Sequence, residues 1–179
     1  EIGLHAWDHH AWQMRVETMD AATVGRELHR GFDLLADVIG RPPTCSAAPG
    51  WKCNALVLAE KATFPFEYNS DCRGNSVFLP TLECGTPGQP QVPSTLPTYD
   101  EVIGRDGITD DVYNDYILSL LERDRLNVLT IHAEVEGIAR ASLFERFLGL
   151  VARNDIQCVT LGELARASAP APNGAITPG

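Results

Sequence analysis

Glu1-Ile2-Gly3-Leu4-His5-Ala6-Trp7-Asp8-His9-His10 opens the chain with three of its five histidines beside an aspartate and a tryptophan. Ile2, Leu4 and Ala6 alternate with Gly3 and His5, the period of a half-buried strand. His5 then stands near the strand's C-terminal end, where ligands collect in open α/β sheets and barrels. His9 follows four residues later, and if the chain turns helical after His5 the two imidazoles share one face about one turn apart. That spacing suits a shared divalent cation, although a catalytic site needs a third protein ligand from elsewhere. It equally suits two surface or hydrogen-bonded histidines.

Working outward, Asp20 is placed to cap a helix over residues 21–38, with Val24, Leu28, Phe32, Leu35 and Ile39 at helical spacing. Gly40 and Pro42-Pro43 stop it. Residues 44–48 read as a strand, Asn54 caps a helix over 55–63, and a strand at 67–70 delivers Asp71-Cys72-Arg73-Gly74 to a strand end. Residues 74–97 are broken by five prolines around the apolar patch Val77-Phe78-Leu79, the pattern of a functional loop or lid rather than a plain connector. A helix start at Thr98, a helix from Thr109 or Asp110 to Leu121, a buried parallel strand at 126–133 ending on His132, and a helix over 139–153 come next. A strand at 157–160 and a helix over 161–167 complete a β-α-β-α order. The expected organisation is one α/β domain, 1–167, and a disordered tail, 168–179, rich in Ala, Pro and Gly.

A length of 179 residues with 44% hydrophobic content supports a sizeable core. The net charge of −10 argues against nucleic acid as a partner, since such binding neutralises phosphates. No apolar run approaches the ~20 residues of a membrane span. The five cysteines are an odd number without a C-x-x-C pair, so free thiols are expected. Cys72, between Asp71 and Arg73, is weighed as a nucleophile and set aside for want of a neighbouring histidine. His29 lies beside the apolar stripe of its helix and reads as structural.

Read whole, GLHAWDHHAWQ, SAAPGWKC, YNSDCRG, LPTYDEVIG and LTIHAEVEG, in that order, resemble the polysaccharide deacetylase (NodB-homology) family from Glu1 to about Ala165. The resemblance implies a distorted (β/α) barrel, here lacking its first strand and helix, and removal of an acyl group from a sugar nitrogen. Within the family the strings are most like enzymes that deformylate a lipid-phosphate-linked 4-deoxy-4-formamido-arabinose. That step serves lipid A modification and resistance to cationic peptides such as polymyxin. It implies a divalent metal (zinc, manganese or cobalt) held by His5 and His9, His132 as general acid to the departing amine, and Asp71 as the carboxylate orienting it. Arg73, Trp51, Phe78, Glu134 and Glu136 are the candidate substrate contacts, the two glutamates sharing a face with His132 if the strand continues. For His132 the competing reading is a core histidine; for the glutamates, solvated acids.

Two departures stand out. Ala47 occupies the place of the arginine in the family's third motif, and Arg73 is its candidate replacement or a phosphate ligand. The motif supplying the general base and third metal ligand is expected upstream of His5, so the chain as written is expected to be inactive. Asp8 is weighed as a substitute ligand and read instead as second-sphere or solvated. Peripheral contact with the cytoplasmic face of the bacterial inner membrane is the expected setting. Two alternatives remain: a metal-dependent peptidoglycan or oligosaccharide N-deacetylase, and a non-catalytic metal- or sugar-binding module.

Overall fold

In chain order the computed structural model, which describes residues 1–176, contains α1 (His9–Arg15), α2 (Ala21–Ile39), β1 (Cys45–Ser46), α3 (Ala55–Lys61), β2 (Tyr68–Asn69) and β3 (Leu79–Pro80). Then come α4 (Tyr99–Val102), α5 (Asp110–Ser119), a π-type turn at Val135–Ala139, α6 (Ala141–Arg153), α7 (Leu161–Ala167) and β4 (Asn173–Gly174). Local chemistry sets the helix ends. Asp20 Oδ1 accepts the Thr23 N–H at 2.8 Å, Asn54 Oδ1 that of Val57 at 3.0 Å, and Thr98 with Glu101 and Thr160 with Glu163 form capping boxes. Gly40 ends α2 at φ 73°, a left-handed conformation that glycine adopts without a Cβ penalty.

Two compact units divide the described residues, one of Glu1–Pro93 with residues 160–176, the other Ser94–Val159. Each has its own apolar cluster. In the first, β1 and β2 pair in parallel with Cys45 opposite Tyr68 and Ser46 opposite Asn69. Leu4 adds to the outer side of β1 and Gln91 to the outer side of β2, both in parallel. Four neighbouring parallel segments result, in the order Leu4, β1, β2, Gln91, and helices α2 and α3 connect the first three, as parallel strands require. Val24 and Leu28 of α2 and Val57 and Leu58 of α3 pack with Leu4, Trp12, Phe64 and Phe66 as the core. His29 lies against Phe64, ring centroids 4.6 Å apart, the structural place expected for it.

The proline-rich segment is pinned rather than free. Phe78 and Gln91 exchange backbone hydrogen bonds of 3.2 and 2.8 Å, Val77 is buried, and β3 pairs in parallel with β4. Asn173–Gly174 lies in the stretch expected as a disordered tail, and there and at Leu79–Pro80 each segment supplies the other's backbone partners. Residues 177–179 of the expected tail lie outside the described residues.

In the second unit α5 and α6 bury Tyr113, Ile117, Leu143, Phe147 and Val151 with Leu96 and Tyr99. Asn114 Nδ2 ties the two helices by donating to the Leu143 carbonyl at 3.0 Å. Residues 126–133 and 157–160, expected as strands, form none. Apolar, β-branched sequence supplies a suitable surface, but a strand exists only beside a partner backbone. Around Val128 the bonds to Thr95 and Leu96 do not extend into a ladder.

Candidate functional site

Because the segments of the first unit run parallel, their chain ends emerge on one side: His5 after Leu4, Ala47 after β1, Asp71 after β2. This is the edge at which parallel α/β folds place function. The His5 Nδ1 lies 2.9 Å from the Ala47 carbonyl oxygen. A carbonyl only accepts, so Nδ1 carries the proton and the lone pair of the neutral ring is on Nε2, the tautomer that suits a metal ligand. Ala47 thus meets His5 through its backbone carbonyl. The His5 and His9 ring centroids are 5.1 Å apart.

A turn brings the two histidines together, with no shared helix. Ala6 takes φ 58° and α1 begins only at His9. Asp8 is the N-cap of that helix, its Oδ1 accepting the Ala11 N–H at 2.8 Å, which gives it a structural task. Two imidazoles are a fitting donor set for a borderline divalent cation and make two of the three ligands a catalytic site uses. Among the described residues no group of three His, Cys, Asp or Glu side chains converges to complete it.

Asp71 is fully buried. Its Oδ1 meets Lys61 Nζ at 2.5 Å, its Oδ2 accepts from Gln91 Nε2 at 3.1 Å, and its N–H donates to Gln91 Oε1 at 3.0 Å. The neighbouring Cys72 thiol is pushed up to about 12, by burial first and the Asp71 charge second, which keeps it protonated and inert. Burial likewise raises Cys53, and all five cysteines are free.

Arg73 and Trp51 meet face to face, the guanidinium carbon 3.9 Å from the ring centroid. Trp51 holds φ 55° directly after Gly50 at φ 59°, a left-handed pair of residues that costs backbone energy at a bulky side chain and is characteristic of ligand-facing turns. Half-buried Phe78 lies against Gly174, where an added Cβ would come within 2.7 Å of the ring.

His132, Glu134 and Glu136 belong to the second unit. The chain turns at His132, whose carbonyl accepts the N–H groups of Val135 and Glu136, both at 2.9 Å. The turn, in a stretch that forms no strand, therefore does not put the glutamates on one face. Glu134 is exposed, whereas Glu136 is buried with Oε2 accepting the His132 N–H at 2.7 Å. His132 Nδ1 lies 3.5 Å from Asp100 Oδ1.

Sequence reading missed Lys61, Gln91 and Asp100. For Lys61 a signal existed, since it falls three and four residues after Leu58 and Val57 on the buried stripe of α3. Asp100 lies within the quoted string LPTYDEVIG but was not singled out there, and Gln91 carried no signal, because a polar residue in a loop reads the same whether solvated or engaged.

No family model matches the chain. It is 49% identical over 164 residues to the "Probable 4-deoxy-4-formamido-L-arabinose-phosphoundecaprenol deformylase ArnD" of Shewanella sediminis (strain HAW-EB3), covering 92% of this chain and 52% of that protein. Against the protein of the same name from Wigglesworthia glossinidia brevipalpis it is 42% identical over 166 residues, covering 92% and 58%. The chain thus spans between half and three fifths of these curated relatives. The crystal structure of a probable polysaccharide deacetylase from Pseudomonas aeruginosa PAO1 superposes with a TM-score of 0.72 at 18% identity, over 94% of this chain and 59% of that one. The chain is thus similar over nearly its whole length to proteins named as formamido-arabinose deformylases, and it shares its fold with solved structures named as polysaccharide deacetylases.

Proposed function

We propose that the protein acts in metal-dependent hydrolytic deformylation of undecaprenyl-phosphate-linked 4-deoxy-4-formamido-L-arabinose. The observation that carries the reading is the pairing of His5 with His9 at the C-terminal side of the parallel segments, in a chain 49% identical to a protein named for that reaction. A distorted (β/α) barrel is the finer fold reading, supported by four parallel segments with helical connections.

Hydrolysis adds the oxygen of water to the formyl carbon and breaks its bond to nitrogen, giving formate and a free sugar amine. His5 and His9 would hold the cation, which when bound polarises the formyl oxygen and acidifies its water. His132 is assigned as the acid that gives the leaving nitrogen its proton; the orienting carboxylate that the resemblance implies is Asp71, whose own oxygens bond Lys61 and Gln91. Arg73, presented on the face of Trp51, offers a planar fork suited to the lipid-linked phosphate. Phe78 and Glu134 complete the proposed substrate contacts, whereas Glu136, expected as another, is buried and accepts the His132 N–H. No described helix is long and apolar enough to cross a membrane, and peripheral attachment at the cytoplasmic face of the inner membrane is the setting proposed for a lipid-linked substrate.

The test is incubation of the full-length protein with the lipid-linked formamido sugar and a divalent metal, reading formate and free amine, beside N-acetylated oligosaccharides. Formate release that falls about 10²–10⁴-fold in His132→Gln supports the reading. Turnover of acetylated substrates alone would replace it with an N-deacetylase.

A further inference from the structure

Three buried polar atoms of the second unit have no protein partner: the Tyr113 hydroxyl, Asn114 Oδ1 and Glu136 Oε1. Their residues are 5%, 7% and 5% exposed. Folded proteins rarely leave such groups unsatisfied, and three together ask for one explanation. All three residues line a single cavity of about 10 Å³, whose remaining wall includes Leu129, Leu143 and Phe147. A buried water needs roughly that much room and about three hydrogen bonds.

The donor and acceptor count fits the same ligand. Asn114 has its amide nitrogen committed to the Leu143 carbonyl, so its free valence is an acceptor. Glu136 has Oε2 committed to the His132 N–H, which leaves Oε1 to accept. Tyr113 is the donor of the set. Burial first and the Glu136 charge second push its hydroxyl well above the ordinary phenol range, so it keeps its proton. Two acceptors and one donor are complemented by a molecule with two protons to give and a lone pair to receive.

We propose that this cavity holds one internal water, donating to Glu136 Oε1 and Asn114 Oδ1 and accepting from the Tyr113 hydroxyl, and that through Glu136 the water supports the backbone at His132. Glu136 is then a positioning residue, with one carboxylate oxygen anchored in the interior and the other holding the N–H of the candidate acid. The importance of His132 rests on the deformylase reading; the water and its support of the backbone do not.

The test combines a crystal structure at a resolution that shows ordered water with hydrogen exchange at the His132 amide, in the wild type, Glu136→Gln and Glu136→Leu. In the wild type a single peak is expected about 2.7–3.2 Å from all three oxygens. Glu136→Gln keeps both features, because a glutamine that turns its oxygen to the His132 N–H presents its amide protons to the water. Glu136→Leu loses the peak and speeds His132 exchange roughly tenfold or more. A dry cavity, a direct bond from Tyr113 to Glu136 or Asn114, or unchanged His132 exchange in Glu136→Leu overturns the proposal. Should Glu136→Leu fail to fold, the wild-type peak and its retention in Glu136→Gln still decide the matter. None of these readouts involves turnover, so they stand or fall separately from the activity.

Discussion

Asp71 and Lys61 form an ion pair closed off from solvent, Oδ1 to Nζ at 2.5 Å with side chains 0% and 2% exposed. Burial makes the pair asymmetric in its response to change: breaking it strands a charge, while removing both charges does not. Lys61→Met is therefore expected to destabilise the protein by about 3–5 kcal/mol. Adding Asp71→Asn, whose amide can still bond to Gln91, should recover at least half of that loss. Urea unfolding of the two single variants and the double variant checks this, and additive losses would show that the pair is not coupled.

The two histidines at the parallel edge give a binding prediction that is independent of catalysis. Zinc or manganese titrated into the protein by calorimetry should bind in a saturable step, weakened about 10–100-fold by His5→Ala or His9→Ala. His10→Ala should leave the step unchanged, since the turn at Ala6 draws His5 to His9. Equal loss from all three substitutions would point to nonspecific binding.

Stacking on Trp51 fixes the direction in which Arg73 presents its charge. If that charge meets the lipid-linked phosphate, Arg73→Ala should raise KM about 10–100-fold for the phosphate-bearing substrate, the range of a charged hydrogen bond. A soluble formamido sugar without phosphate should be little affected. Arg73→Lys should recover only part of the loss, because an ammonium neither stacks nor forks. An identical penalty on both substrates would remove the phosphate from the argument.

Asp110 supplies the pH prediction. Tyr99 donates a 2.5 Å hydrogen bond to it and Arg140 lies 2.9 Å away, and these hold its carboxyl below the ordinary range, the Tyr99 bond contributing most. A depressed folded value means stability that is fully present above the unfolded pKa near ~3.9 and is lost as pH falls through the folded value. The side chain is 44% exposed, so solvent screening limits the contribution to at most about 1 kcal/mol. Asp110→Asn should cost that much at pH 7 and progressively less below about pH 4. A penalty independent of pH would assign the effect to packing.

Sequence by itself determined the helices and their ends. Asp20 and Asn54 were legible as caps, Gly40 as a stop, and the apolar spacing of α2 as a buried face. Five short strings also carried the resemblance to the formamido-arabinose deformylases that the comparison finds. Tertiary structure decided the rest. It drew His5 to His9 through a left-handed Ala6 instead of a helix, left residues 126–133 without a strand and turned the chain at His132, buried Glu136 while leaving Glu134 in solvent, and paired Asp71 with Lys61. Helical hydrogen bonds and side-chain caps close within four residues, so a short window of sequence contains all their partners. Strands, buried ion pairs and interior polar groups are completed by residues distant in the chain, and only the folded arrangement supplies them.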